Sequence, residues 1–302
     1  MEVTNSPLQD DAEFLLTDEI LKILLADRTT GKNIIWATGD YESLGKKYGR
    51  QEEITSDLLK INLHVIQSRF SKSARNKKNR VREKAEIFTP AWLCNEQNNL
   101  IDEVWFGRAN VFNVVDAKNH LWYRTQDKIS FDGDKDWEDY VTDKRLEIAC
   151  GEAPYLVSRY DTVTGKDIPL ENRIGMLDRK FRVVFENTST ESDWLEWSLT
   201  ALKSIYGYEF QGDNLFLARK NIFKTYIDYY RQRFNDEPDK DLLAEVAEII
   251  SWNLWQMDGR TNMIPYAKNY DDIFNQNTDE KFYCKVKDWK ENKILYFDEH
   301  KK

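Results

Sequence analysis

Arg145-Leu146-Glu147-Ile148-Ala149-Cys150-Gly151-Glu152-Ala153-Pro154-Tyr155-Leu156-Val157 is the stretch on which the fold turns. It opens as a short strand, reaches a turn of small residues at Ala149-Cys150-Gly151, and runs into a segment predicted to be helical, with Pro154 tolerated in a first turn. A strand, turn and helix in that order form the unit of an open α/β sheet. Such a unit holds a ligand at the carboxyl end of its strand, where small residues let the backbone come close and a helix N-terminus favours an anionic group.

Outward from this unit, Ser204-Ile205-Tyr206-Gly207-Tyr208-Glu209 reads as a second strand ending in an acid. Leu215, Phe216, Ala218, Ile222 and Phe223 then supply the apolar face of a helix. Glu147 and Glu209 are 62 positions apart, against roughly 20 in a compact dinucleotide unit, so residues 161–203 are expected to be a helical insertion. Within it, Trp194 and Trp197 at i and i+3 predict core packing. Helical periodicity covers about 191–233 and 240–257, and short apolar runs separated by polar turns precede it from about residue 85. The expected class is α/β.

Towards the N-terminus, Thr17-Asp18-Glu19 ahead of Ile20-Leu21-Lys22-Ile23-Leu24-Leu25 predicts a capped helix. Asn33-Ile34-Ile35-Trp36-Ala37-Thr38 predicts a buried strand or an extended docking segment. The run from Arg69 to Lys84 carries eight basic residues and one acid. Arg69, Lys72, Arg75, Lys77, Lys78, Arg80 and Arg82 are its candidate phosphate contacts. This gives an expected division into a mostly helical N-terminal region, 1–80, with the basic segment 69–84 at its end, and a larger α/β domain, 81–302.

The whole chain of 302 residues has 44 basic and 53 acidic side chains, a net charge of -9. A polyphosphate is repelled at long range by that charge, so nucleic-acid contact needs a local patch or a partner. With 41% hydrophobic and 13% aromatic residues, ten of them Trp, the composition is that of a folded chain rather than a disordered one. No apolar run approaches the roughly 20 residues that span a bilayer, and the first residues lack the basic and apolar regions of a signal peptide. Cys94, Cys150 and Cys284 are widely spaced and His64, His120 and His300 stand alone, which gives no metal-ligand pattern. A reducing cytoplasm and no metal are the expectation.

Glu147-Ile148-Ala149-Cys150-Gly151-Glu152-Ala153 resembles the first cofactor motif of the adenine-specific DNA methyltransferases of restriction-modification systems, Asp-Pro-Ala-Cys-Gly-Ser-Gly. The acid and the Ala-Cys-Gly turn are kept; Ile148, Glu152 and Ala153 replace Pro, Ser and the second Gly. Three further pieces stand in the order of that family. Phe88-Thr89-Pro90 matches its Phe-Thr-Pro motif, Glu209 the acid that takes both ribose hydroxyls, and Asp258, in Trp255-Gln256-Met257-Asp258-Gly259, the acid beside the adenine amine. The resemblance covers about residues 85–260. It implies a Rossmann-like S-adenosylmethionine-dependent methyltransferase core, with the cofactor held by Phe88, Thr89, Pro90, Glu147, Ala149, Cys150, Gly151, Glu152, Glu209 and Asp258.

The family's catalytic tetrapeptide, Asn-Pro-Pro-Tyr, is missing. All six prolines are isolated, and the nearest imitation is Asn262-Met263-Ile264-Pro265-Tyr266. The resemblance therefore implies the cofactor-binding subunit of a DNA adenine methyltransferase, with a second polypeptide supplying the catalytic loop and target recognition and DNA bound through the complex. In such an enzyme Cys150 is a small turn residue, and methyl transfer is direct attack by the adenine amine. The alternative reading is a non-catalytic interaction or nucleic-acid-binding protein on a degenerate methyltransferase fold.

Overall fold

A computed structural model describes residues 15–62, 65–72, 89–267 and 282–297. Most of the basic run, including Arg75, Lys77, Lys78, Arg80 and Arg82, lies outside the described residues, as does Phe88. Among those described, eight α-helices and seven strands make a mixed α/β fold. Helices α1 (Asp18–Leu25) and α2 (Ser56–Ile61) come first, then α3 (Ala91–Phe106) and the antiparallel hairpin β1 (Asn113–Asp116) and β2 (Leu121–Arg124). Helix α4 (Trp137–Thr142) leads into β3 (Arg145–Ile148), α5 (Met176–Asn187), α6 (Glu191–Lys203) and β4 (Ile205–Glu209). The long α7 (Gly212–Phe234), α8 (Lys240–Asn253), β5 (Leu254–Gln256) and the hairpin β6 (Lys285–Asp288) and β7 (Lys293–Tyr296) complete it.

The centre is a parallel sheet in the order β3-β4-β5. Glu147 lies opposite Gly207, and Glu209 opposite Gln256. A parallel sheet is covered on both faces, so its strands need no polar alternation; β5 is buried at all three positions and β4 alternates between buried and half-buried. The crossover from β3 to β4 is α5 and α6, which is the segment expected as an insertion. Its Leu177, Phe181, Val183 and Val184 are core residues. Trp194 is buried against Tyr226, Tyr230 and Phe234, as its spacing predicts, while Trp197 packs edge-on against Trp137.

No helix forms directly after the Ala149-Cys150-Gly151 turn, contrary to the expectation from sequence; residues 151–156 are turns. The reason is local and physical. Ala153 sits at φ +65°, in the left-handed region, and the backbone N–H groups of Tyr155 and Leu156 are taken by the Glu147 carboxylate rather than by a helical ladder.

The N-terminal region is woven into this core. Thr17 caps α1 through its side chain, as expected. The segment 33–38 is an extended docking segment: the Trp36 and Ala37 N–H groups donate to Glu52 and Arg50, and the Gly212 N–H donates to the Trp36 carbonyl. One hydrophobic cluster runs from Ile20 and Trp36 through Phe181 to Leu254, unbroken across the boundary expected near residue 80. Among the described residues no helix is long and apolar enough to cross a membrane.

Candidate functional site

The carboxyl ends of β3 and β4 bring two acids together in the interior. Glu147 and Glu209 are both 6% exposed. Glu147 accepts the N–H of Tyr155 at 3.3 Å and of Leu156 at 3.2 Å, one on each oxygen. Glu209 accepts the N–H of Gly151 at 3.0 Å on one oxygen and those of Phe210 and Gln211, both at 3.0 Å, on the other. Gly151 itself is at φ +54°, a backbone state in which glycine has no steric cost. Ala153, which stands where the resembled motif has its second glycine, keeps the left-handed conformation at φ +65° with its methyl fully buried.

Burial sets the electrostatics. It pushes the Glu147 carboxyl well above the usual carboxylate range, with the Glu209 charge adding to the shift and the two backbone N–H donors opposing it. The Cys150 thiol is raised by burial and then by both glutamates. It is 1% exposed and wedged against Gly207, where an added Cβ would stand 3.0 Å from its own. A buried, protonated thiol is an inert packing group, in keeping with a turn residue.

Thr89 and Pro90 lie at the start of α3, and that start is pinned to the loop after β3. The Ala91 N–H donates to Asp161 at 2.6 Å and the Thr162 hydroxyl to the Thr89 carbonyl at 3.1 Å. Cys94, one turn on, has its thiol raised by burial and then by the Glu147 charge. Glu152 is buried and points elsewhere, accepting the Arg69 N–H at 2.6 Å and the Tyr160 hydroxyl at 2.6 Å. Ala149 is exposed on the outer side of the turn. Asp258 opens the turn after β5: its backbone bridges to Met263 and its carboxylate accepts the Arg260 N–H at 2.9 Å.

Of the two described basic candidates, Arg69 is half-buried and anchored through its backbone to Glu152, and Lys72 is 8% exposed with its ammonium 3.2 Å from Asp213. Lys72 is thus an interior charge, set away from any surface a phosphate backbone could reach. Asp213 also accepts the Tyr41 hydroxyl at 2.8 Å. Sequence reasoning missed this pair, and it missed Gln256, whose amide takes the Ile35 N–H at 2.9 Å and donates to the Ile35 and Phe210 carbonyls at 2.8 Å each. Gln256 thereby fixes the docking segment across the carboxyl end of β5. A polar residue closing a strand was the one available signal. Among the described residues no group of three or more His, Cys, Asp and Glu side chains could hold a metal ion.

Compared with protein-family models, curated proteins and solved structures, the chain finds no significant match.

The raised Glu147 gives a test by pH. Below the unfolded value of 4.5 both states are protonated; above it the unfolded chain releases this proton while the folded chain keeps it. Folded stability therefore falls as pH rises from there through the folded pKa. Urea unfolding of the parent and Glu147→Gln between pH 4.5 and 8 is expected to show the parent losing stability relative to the variant as pH rises. Parallel curves would refute the raised carboxyl.

Proposed function

We infer that the chain is the S-adenosylmethionine-binding subunit of a DNA adenine methyltransferase of the restriction-modification type, on a Rossmann-like core completed by a second polypeptide. The observation that carries the reading is the pair of buried acids, Glu147 and Glu209, at the carboxyl ends of adjacent parallel strands, with the Ala149-Cys150-Gly151 turn between them. In an open α/β sheet that is where a cofactor sits.

The donor set suits the group. Ribose hydroxyls donate to a carboxylate such as Glu209, and a cationic sulfonium or ammonium brought near Glu147 would draw its raised carboxyl back towards the charged form. When bound, S-adenosylmethionine would supply an activated methyl group; this chain's part is to hold and orient it. Glu209 already receives three backbone N–H groups, and a carboxylate has about four acceptor positions. Binding both hydroxyls therefore requires that at least one of these N–H bonds be exchanged.

A partner has an open place to join. A doubly wound sheet extends to both sides of its first strand, whereas here β3-β4-β5 run in one direction and β3 is an edge among the described residues. The ligand crevice of such sheets lies where the strand order reverses, which here needs a strand beside β3. Arg145 donates its N–H to Ser204 on the β4 side, so the N–H groups of Leu146 and Ile148 face the free edge. Their side chains are 42% and 59% exposed. Beside them α3 is inverted: Asn95, Asn98 and Asp102 are buried, while Leu100 is 61% and Val104 87% exposed. A groove of about 480 Å³ between these apolar residues, Lys135 and Arg145 adjoins β3. Exposed apolar rows of this kind mark interaction sites.

One observation favours the alternative, a non-catalytic interaction or nucleic-acid-binding protein on a degenerate methyltransferase fold. The Glu209 carboxylate is engaged by backbone, and the docking segment 33–38 is fastened at Gly212 and Gln256, across the end of the sheet. Calorimetric titration of S-adenosylmethionine into the full chain separates the two. The expected result is saturable heat in the parent and affinity at least about tenfold lower in Glu209→Gln, measured at a temperature where circular dichroism shows both folded. No saturable heat in the folded parent would leave the alternative.

A further inference from the structure

Behind the sheet, a cavity of about 60 Å³ lies between the β1–β2 hairpin, the segment after Pro169, and helices α5 and α7. It is lined by four arginines, Arg124, Arg173, Arg179 and Arg182, against two acids, Asp178 and Glu171. Two of the arginines are spent. Arg179 donates to Ile174, Asp102 and Asn95. Arg182 donates to Glu186 and to the carbonyls of Phe112, Thr125 and Asp127.

The other two are not. The Arg173 side chain is 2% exposed and pairs through Nη2 alone with Asp228, at 2.7 Å; its Nε and Nη1 have no hydrogen-bond partner. Asp228 is itself shared with Arg159. Arg124 makes a single long contact among the described residues, Nη1 to the Glu171 carbonyl at 3.5 Å. On the same cavity wall Asp178 has one oxygen accepting from Ser158 and Gly175, while its Oδ1 is buried without a hydrogen bond, the Tyr229 hydroxyl lying beside the carboxylate. A buried guanidinium with open donors and a buried carboxylate with an open acceptor are each costly unless something bridges them.

We propose that this cavity binds a proton-bearing oxyanion, a phosphate or the phosphate group of a monoester. Its oxygens accept from Arg173 Nε and Nη1 and from Arg124, and its hydroxyl donates to Asp178 Oδ1. The volume takes one such tetrahedral group, and the exposed Glu171, Phe185 and Gln232 mark the mouth through which the rest of an ester would leave. Arg–phosphate contacts are among the strongest charge-assisted hydrogen bonds. The Arg124 guanidinium is held below its ordinary value by burial and then by Arg182. The site is independent of the methyl-donor reading, since it shares none of that reading's residues.

Calorimetric titration of the full chain with inorganic phosphate, sulfate and a nucleoside 5′-monophosphate, each at pH 6, where inorganic phosphate and about half of the monoester carry a proton, and up to about 10 mM, tests this. Saturable binding of phosphate, lowered at least about tenfold in both Arg173→Gln and Arg124→Gln, is the expected result. Arg124→Gln removes only one long contact and is expected to keep the unfolding midpoint, which separates a loss of binding from a loss of fold. Binding of the nucleotide as well would make a phosphate ester the source; binding of inorganic phosphate alone would make it the free ion. Sulfate, which carries no proton at pH 6 to give to Asp178, is expected to bind at least about tenfold more weakly. Two ordered waters, at about 30 Å³ each, would fill the same space. Absence of phosphate heat, equal binding of sulfate, or an unaltered affinity in Arg124→Gln would each overturn the proposal in favour of such waters.

Discussion

Gly212→Ala is expected to lose about 3–5 kcal/mol of folding stability, a large share of the roughly 5–15 kcal/mol that holds a domain together. Gly212 is the first residue of α7. A Cβ added there would stand 2.0 Å from the Ile35 carbonyl oxygen and 2.9 Å from its carbon, with Ile54 Cδ1 at 3.1 Å. The obstacle is backbone, so no side-chain rotation relieves it. The docking segment would have to move, breaking the Gly212 N–H bond to Trp36 and the bonds of Ile35 to Gln256. Forced overpacking costs about 1–3 kcal/mol and each hydrogen bond about 1. Helix propensity alone pulls the other way, since Ala is favoured over Gly by about 1 kcal/mol. The sign is therefore diagnostic: a stabilised variant in urea unfolding would mean that the segment is not seated on α7. Gly49→Ala, where the nearest atoms are at 3.4 Å, is the matching control and is expected to change stability by less than about 1 kcal/mol.

The elements that were legible in the sequence are those whose cause is local. Thr17 announces a helix because its hydroxyl accepts the Ile20 N–H, and that needs only three residues of context. β4 is legible because a short run ended by an acid suits a covered parallel sheet, and β3 because a turn of small residues follows it. The turn at Ala149-Cys150-Gly151 is where the sequence puts it, and Gly151 is indeed left-handed. The helix expected after it fails because Glu147, eight residues back in sequence from Tyr155, reaches over to claim the N–H groups a helix would have needed. Propensity over a window does not contain that contact.

The candidate site divides in the same way. Order along the chain brings Glu147, Gly151 and Glu209 together, and places Thr89 and Pro90 at the start of α3, pinned to the loop after β3. It does not foretell that Glu152 turns away to Tyr160 and Arg69, or that Lys72 leaves the basic run for Asp213. Those outcomes depend on residues more than 80 and 140 positions apart. The inversion of α3 is equally hidden: a helix with apolar Leu100, Ile101 and Val104 reads as burying them, and the structure buries Asn95 against Arg179 and Asn113, Asn98 against the Tyr155 and Ile174 carbonyls, and Asp102 against Arg179 and Tyr140. Buried polar networks of this kind are specific, since every member must find its partner.

Arg219→Met is expected to destabilise by about 3–5 kcal/mol, the range for removing a buried group whose partners are left without hydrogen bonds. Arg219 is fully buried in α7 and no carboxylate bonds to it among the described residues. Its guanidinium donates to the carbonyls of Leu24 at 2.6 Å, Ala26 at 3.0 Å, Ser251 at 3.2 Å and Leu254, through two nitrogens at 2.6 and 2.9 Å. Leu24 and Ala26 end α1, and Ser251 and Leu254 end α8. One cation thus satisfies the unpaired carbonyls of two helix C-termini and meets the negative ends of both dipoles, which replaces the missing acid. Burial pulls its pKa down to about 9, which leaves it charged at neutral pH. Met fills the same volume and satisfies none of the four carbonyls. Lys keeps the charge but lacks the planar fork, so Arg219→Lys is expected to fall between the parent and Met. Unfolding midpoints in urea that place Met level with the parent would show that the carbonyls find other partners, and that α1 is held to α8 by apolar packing alone. Because α1 begins the N-terminal region, 1–80, expected to pack against the α/β core, a large loss on Arg219→Met also tests whether the two fold as one unit: a single, earlier transition is expected rather than the separate release of residues 15–62.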